Sequence, residues 1–413
     1  METIKQKTKK CELTNLLLLV YLLITLFLFA FVNMPAATHL NRICVPYIAG
    51  WVVDWHTTFT YIFLITFVIV MLYERGSLYA NGVTLILAIK CIVDGLTLWA
   101  LGRTVPFSVY ASTLGMLLSY FLASQITSGE KVISKLFIIF ASVLAMQAIF
   151  AMSVSIVPYL NVLFKEYMVI PYGASNIIAS ALVPMFFFHK EIKHKLFKWL
   201  YIVLMVVGIF ATKSRGGMLL FAACLAVEFL LYCIKNKKWK LLISLALIAI
   251  AGVGVLFCFE SFRTFIIGFA KDKLTLDTLT SGRVTLWIDN FIAAFGLPIF
   301  GHGIGAYYSA PFGVPQDAHN LIVGLFYRCG IVGVVLYAWA LVLVFKQAKK
   351  EKKLSSVWFV FLVIMLANSM FEVCYQSYKC DVIFWFIAGL LNRQQSAKSN
   401  FIGIEEVQDV KTI

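Results

Sequence analysis

The sequence predicts an all-α, polytopic integral membrane protein. Residues 1–413 read as a single transmembrane domain, with one long outer loop at 259–318. Three observations lead there. Apolar residues make up 61% of the chain and charged residues 13%, with mean hydropathy +0.89. A soluble protein is roughly 45–50% apolar and about 25% charged. The apolar residues gather in long runs, and most basic residues gather between alternate runs. This excludes a soluble enzyme, a disordered chain and a nucleic-acid-binding protein.

The runs fall at 15–33, 57–73, 78–101, 105–124, 136–157, 173–188, 199–212, 216–234, 241–258, 319–345, 354–373 and 380–391. Lipid offers no partner to a backbone amide or carbonyl, so each run is read as a helix. A span takes about 20 apolar residues, which gives about twelve spans. The first run follows Lys5, Lys7, Lys9 and Lys10 and ends near Pro35-Ala36-Ala37, like a signal peptide. Its apolar core is too long for one, and more spans follow, so it reads as an uncleaved first helix.

The net charge is +15. With the basic N-terminus in the cytoplasm, roughly two thirds of the Lys and Arg lie on that side. They include the lysines of 190–198, 235–240 and 346–353. Both termini are then cytoplasmic, and most of the charge sets orientation. Arg42, Arg103, Arg215, Arg283 and Lys379 are among those left outside. Lys90 and Asp94 stand four apart within one run and read as a neutralising pair; Glu228 and Arg328 are also placed within runs. Cys91, Cys224, Cys233 and Cys258 sit in apolar runs and read as small core residues.

The polar motifs collect on the outer side. Thr212-Lys213-Ser214-Arg215-Gly216-Gly217 marks an outer turn between two runs. An arginine at the hydrocarbon boundary must pair or face water, and a guanidinium binds phosphate bidentately. Thr280-Ser281-Gly282-Arg283 and Trp287 lie in the long loop. Gly301-His302-Gly303-Ile304-Gly305 lacks the strand and the Lys-Ser/Thr of a nucleotide loop, and reads as a turn that lets backbone approach a ligand. Asp317-Ala318-His319-Asn320 opens the next run. A histidine titrates near neutrality and can act as general base, and the acid two residues before it would raise its basicity. The same cluster also suits a helix cap. Glu372 is placed to orient an arginine or the histidine. There is no DxD and no HExxH, so neither metal nor cofactor is expected.

In pattern and order these residues resemble the O-antigen ligase and O-antigen polymerase superfamily of bacterial inner-membrane proteins. The matching features are Pro171-Tyr172-Gly173-Ala174-Ser175-Asn176 and Ala179, then Ser214-Arg215-Gly216, then Ser281-Gly282-Arg283 with Trp287. Next come Gly301, Gly303 and Gly305, His319-Asn320 before Gly330 and Gly333, and last Glu372. The resemblance runs from about residue 170 to about 390; the N-terminal third matches only in hydropathy.

The resemblance implies a fold like the lipid-dependent glycosyltransferases of the C type. The donor is a glycan on undecaprenyl pyrophosphate, presented at the outer face of the inner membrane. The acceptor is another glycan or lipid A–core. Arg215 and Arg283 would hold the pyrophosphate, and His319 would take the acceptor proton. Asn320, Asp317, Gly303, Asn176 and Glu372 would line the substrate site. The short segment at 317–320 and the modest loop lean toward a polymerase of O-antigen or capsular repeat units. A ligase building lipopolysaccharide is the alternative, and a lipid-linked oligosaccharide flippase is a further one. Asp54 or His302 stands as the alternative base.

Overall fold

The computed structural model describes residues 2–32, 45–75, 78–153, 168–241, 282–309, 315–372 and 377–393, apart from single positions within them and a few isolated positions up to 260. Most of the run at 241–258, the stretch Pro35–Ala37 and the outer-loop segments 261–281 and 310–314 lie outside the described residues. So do Arg42, Thr280 and Ser281.

The described chain is helical almost throughout. Its helices are α1 (Glu2–Phe31), α2 (Val52–Arg75), α3 (Gly82–Ala100), α4 (Phe107–Ser124), α5 (Glu130–Ser153), α6 (Ser175–Phe186), α7 (Lys195–Ala211), α8 (Arg215–Lys235), α9 (Arg283–Ala294), α10 (Leu321–Lys350), α11 (Val357–Asn368) and α12 (Tyr378–Leu391). Two short antiparallel strand pairs interrupt them: β1 (Val169–Ile170) with β2 (Gly173–Ala174), and β3 (Tyr308–Ser309) with β4 (Pro315–Gln316).

Among the described residues six helices are long and apolar enough to cross a membrane: α1, α2, α3, α5, α8 and α10. The other described runs form shorter helices, and the described residues support a multi-pass all-α protein. Helix α9 comes from the loop rather than from a run. It is amphipathic, with Leu286, Asn290 and Ala294 buried.

The helix starts follow local chemistry. Asn81 caps α3 by accepting from the amides of Val83 and Thr84, at 3.0 and 3.1 Å. Ser356 caps α11 through the amide of Phe359. Pro184 lies in the last turn of α6, where its ring removes one helical hydrogen bond, and a short 3-10 turn follows from Phe187 to Glu191.

At the centre stands α12, every residue of which is buried. Its Trp385 is fully enclosed between the rings of Tyr120 and Tyr337. Gly389 lets α12 approach α4 so closely that a Cβ there would strike Ala123. Most of α6 is buried as well. The outer helices turn large apolar side chains outward, among them Ile62, Ile65 and Ile69 of α2 and Leu219 of α8. A water-facing surface would not carry that row; a lipid-facing one does.

Two charges sit where the hydropathy runs could not place them. Lys379, expected in an outer loop, is fully buried. Its Nζ donates to the carbonyls of Phe29, Val32 and Pro171 at 2.8, 3.0 and 2.8 Å. It thereby ties the end of α1 and the β1–β2 turn to the start of α12. Glu228, read as part of a structural pair within its run, lies in α8, partly exposed, and its partner at 2.6 Å is Lys190 from a neighbouring segment. The pair Lys90–Asp94 is buried at 2.6 Å, as the four-residue spacing predicts.

Candidate functional site

Glu372 lies four residues beyond the end of α11, and its side chain is 4% exposed. Three helix starts converge on the turn that carries it. The start of α10 comes first. Asn320 accepts from the amides of Ile322 and Val323 at 3.0 and 3.1 Å, so it caps the helix. Its Nδ2 donates to the Met370 carbonyl at 3.0 Å, and the Leu321 amide donates to the Ser369 carbonyl at 2.8 Å. Just before the cap, His319 has φ +49°. That is the left-handed region, which costs a non-glycine residue about 1–3 kcal/mol. Asp317 helps hold it there by accepting from the His319 amide at 3.2 Å. The resulting turn brings His319 Nδ1 to 3.8 Å from Glu372 Oε2.

The start of α9 is the second. Gly282, at φ +80°, turns the chain into the helix, and Arg283 is its first residue. Arg283 Nη2 donates to Glu372 Oε1 at 2.7 Å, and its Nη1 donates to the Phe371 carbonyl. One turn later the Trp287 ring lies 6.2 Å from that of Phe371.

The third is the start of α8. Ser214 caps it through the Gly217 amide at 3.1 Å and donates from Oγ to Asn176 Oδ1 at 3.0 Å. Asn176 thus joins the first turn of α6 to that of α8. A Cβ on Gly216 would stand 3.3 Å from Glu372 Oε1, so glycine lets this helix start reach the carboxylate. Arg215, beside it, is exposed.

Helix starts carry partial positive charge and unpaired amides, so their convergence favours anions. Here the anion present is Glu372. Burial pushes its carboxyl up, while the His319 ring and the Arg283 guanidinium together pull it down further, below the ordinary glutamate range. Four buried polar atoms have no hydrogen-bond partner among the described residues in this region: Lys213 Nζ, Trp287 Nε1, His319 Nδ1 and Glu372 Oε2. Buried polar atoms are satisfied as a rule. Lys213 stands at φ +55° between α7 and α8, and desolvation lowers its pKa. Lys213 was legible only as one letter of the Thr212–Gly217 motif, because nothing in its spacing announces a shielded ammonium.

Several expectations are corrected. The acid facing His319 is Glu372, distant in sequence, and not Asp317. The Asp317 carboxylate instead meets Arg328 at 3.3 Å. Arg328, expected within the membrane, also donates to the Ala306 carbonyl at 2.8 Å and lies over the Tyr307 ring. The glycine motif packs against protein. At φ +62°, Gly330 breaks the helical conformation of α10, and Gly301 passes over that break, where a Cβ on either would collide with the other's backbone. The amides of His302 and Gly303 donate to the carbonyls of Tyr327 and Arg328, both at 2.9 Å. A Cβ on Gly303 would stand 3.0 Å from Leu98 Cδ2 of α3, so this glycine's neighbour is a helix side chain rather than open space for a ligand. The His302 ring is engaged too, with Nε2 3.0 Å from the Ala293 carbonyl and the ring stacked on Tyr327. Asp54 is exposed in the first turn of α2, and no described contact ties it to Glu372.

Residues 200–338 match the family model described as O-antigen ligase. The matched segment contains Arg215, Arg283, His319 and Asn320, while Asn176 and Glu372 lie outside it. No curated protein matches the chain. Over this segment, about a third of its length, the chain is similar to the O-antigen ligase family, which supports a place in the O-antigen ligase and polymerase superfamily.

Proposed function

We propose that the protein transfers a glycan from undecaprenyl pyrophosphate at the outer face of the bacterial inner membrane, polymerising O-antigen or capsular repeat units. One observation carries the reading: three helix starts, two of them beginning with arginines, converge on a buried Glu372 that faces His319. In this reading both termini are cytoplasmic, and the chain is a single domain with the C-type glycosyltransferase fold.

The acceptor hydroxyl oxygen attacks the anomeric carbon. The bond from that carbon to the pyrophosphate oxygen breaks, and its electron pair leaves with the pyrophosphate. The hydroxyl proton passes to His319. Glu372 beside Nδ1 favours the tautomer with Nδ1 protonated, which leaves Nε2 as the acceptor. The 3.8 Å separation is too long for a hydrogen bond, and catalytic contacts tighten when substrate binds. Arg215, exposed at the start of α8, meets the pyrophosphate together with the amides of that helix. Arg283 joins it while its other edge stays on Glu372. Charge developing at a water-poor boundary is stabilised more than in bulk water, at about 2–4 kcal/mol for each fixed donor.

The test is a deletion strain. Single repeat units on lipid A–core, with lipid-linked units on the outer leaflet, are expected. Polymer stranded on undecaprenyl pyrophosphate would make the protein the ligase. Lipid-linked units retained on the inner leaflet would make it a flippase.

A further inference from the structure

A second cleft lies at the other end of the bundle, between α5 and α7. The two helices touch near residues 145 and 208, where a Cβ on Gly208 would stand 2.7 Å from Ala145 Cβ. Toward their lysine-rich starts they enclose a cavity of about 720 Å³. Its floor is apolar, with Ile138 from α5 and Leu200 and Leu204 from α7. Its rim carries Lys131 and Lys135 from one side and Lys193 and His194 from the other, with Glu191 the one acid lining it among the described residues.

Two further features point to an anion. His194, on the rim, opens α7 without a side-chain cap, so the first amides of this 17-residue helix are left uncapped beside the cleft. Ser134, 3% exposed, lines the cleft with an Oγ that has no hydrogen-bond partner among the described residues. The cleft therefore combines an apolar floor, a cationic rim, unpaired helix amides and an unpaired buried hydroxyl.

We infer that this cleft binds one anionic phospholipid, its phosphate between Lys131, Lys135, Lys193 and the start of α7, and an acyl chain along Ile138, Leu200 and Leu204. A soluble anion would use the rim and leave the floor empty. A neutral lipid would use the floor and leave the lysines unpaired. The lining on α7 reaches Leu204, which stands seven residues, about 10 Å at 1.5 Å per residue, before the end of the helix at Ala211 that leads to the cluster. The cleft is thus separate from the cluster around Glu372, and its occupancy does not depend on the reaction proposed for that cluster.

The test is native mass spectrometry of the full chain, purified in detergent and titrated with phosphatidylglycerol, phosphatidylcholine or glycerol 3-phosphate. One retained phosphatidylglycerol is expected, with little phosphatidylcholine and no glycerol 3-phosphate. Each lysine near a lipid phosphate contributes roughly a fivefold gain in affinity, so Lys131→Ala, Lys135→Ala and Lys193→Ala combined should weaken retention about a hundredfold. These side chains are exposed, so the triple variant keeps the fold. Ser134→Ala should weaken it about tenfold through one lost bond to a charged group. Equal retention of phosphatidylglycerol and phosphatidylcholine would overturn the inference, as would unchanged retention in the triple variant. Equal binding of glycerol 3-phosphate would assign the rim to a soluble anion and overturn it too.

Discussion

Arg283 and Glu372, 89 residues apart in sequence, are joined by a 2.7 Å charge-assisted hydrogen bond. The bond occupies one carboxylate oxygen and leaves Oε2 to His319. Four expectations follow from how this cluster and its supports are held.

His319→Ala should lower glycan transfer by about 10²–10⁴-fold, the usual contribution of a general base. The variant should still insert, since the ring is a third exposed and carries no cap. Asp54→Asn should leave transfer unchanged. Surface-polysaccharide gels of complemented deletion strains read both, and the opposite pattern would move the base to Asp54.

Arg215→Ala should cost about 2–4 kcal/mol in the barrier, as loss of one fixed donor does. The side chain is exposed and its α8 cap belongs to Ser214, so the melting temperature should hold. Arg215→Lys should restore only part of the rate, because an ammonium lacks the bidentate fork. Turnover of purified protein on lipid-linked donor measures the three; full activity in the alanine variant excludes Arg215 from the site.

Acid should loosen the cluster through Glu372. Its folded-state pKa lies below the ordinary glutamate value, so the native state binds fewer protons than the unfolded chain as the pH falls. The stability this adds is fully present above about pH 4.3 and is lost as pH drops through the lower folded value. Melting curves in detergent between pH 5 and pH 3 should fall more steeply for the native chain than for Glu372→Gln. Parallel curves would show that Glu372 contributes nothing in this window.

Lys379→Met keeps the length of the side chain and leaves the carbonyls of Phe29, Val32 and Pro171 without their donor. A buried group left unsatisfied costs about 1–3 kcal/mol, so this substitution should be among the most damaging in the chain. The readout is the yield of detergent-stable protein by size-exclusion chromatography. Near-native yield would show that these carbonyls find other donors.

The helices were legible because lipid imposes the same apolar demand on every exposed position, whatever the partner helix. Arg215, Arg283, His319 and Asn320 stood out because polar residues are rare at such boundaries. Their pairings were legible only in part: Glu372 read as the partner of an arginine or of the histidine, and it meets both Arg283 and His319. Asp317 looked like the partner of His319 because it is two residues away, yet it meets Arg328, and the acid that faces the ring arrives from another helix end. Lys379 read as a loop residue because hydropathy registers its charge and not the three carbonyls that enclose it. Nothing in the Gly301–Gly305 spacing distinguishes a turn against a ligand from a turn against a broken helix.

That crossing of backbones restricts how relatives can diverge. Gly301 and Gly330 each meet main chain where a side chain would begin, and main chain cannot be traded for a smaller residue. No second substitution rescues the first, so both positions should stay glycine together across distant homologues. Gly282 has a similarly positive φ but open space around it, so asparagine, the residue that best tolerates this conformation, should replace it at small cost. A set of aligned homologues would therefore separate a locked pair from a drifting turn, although all three are the same letter.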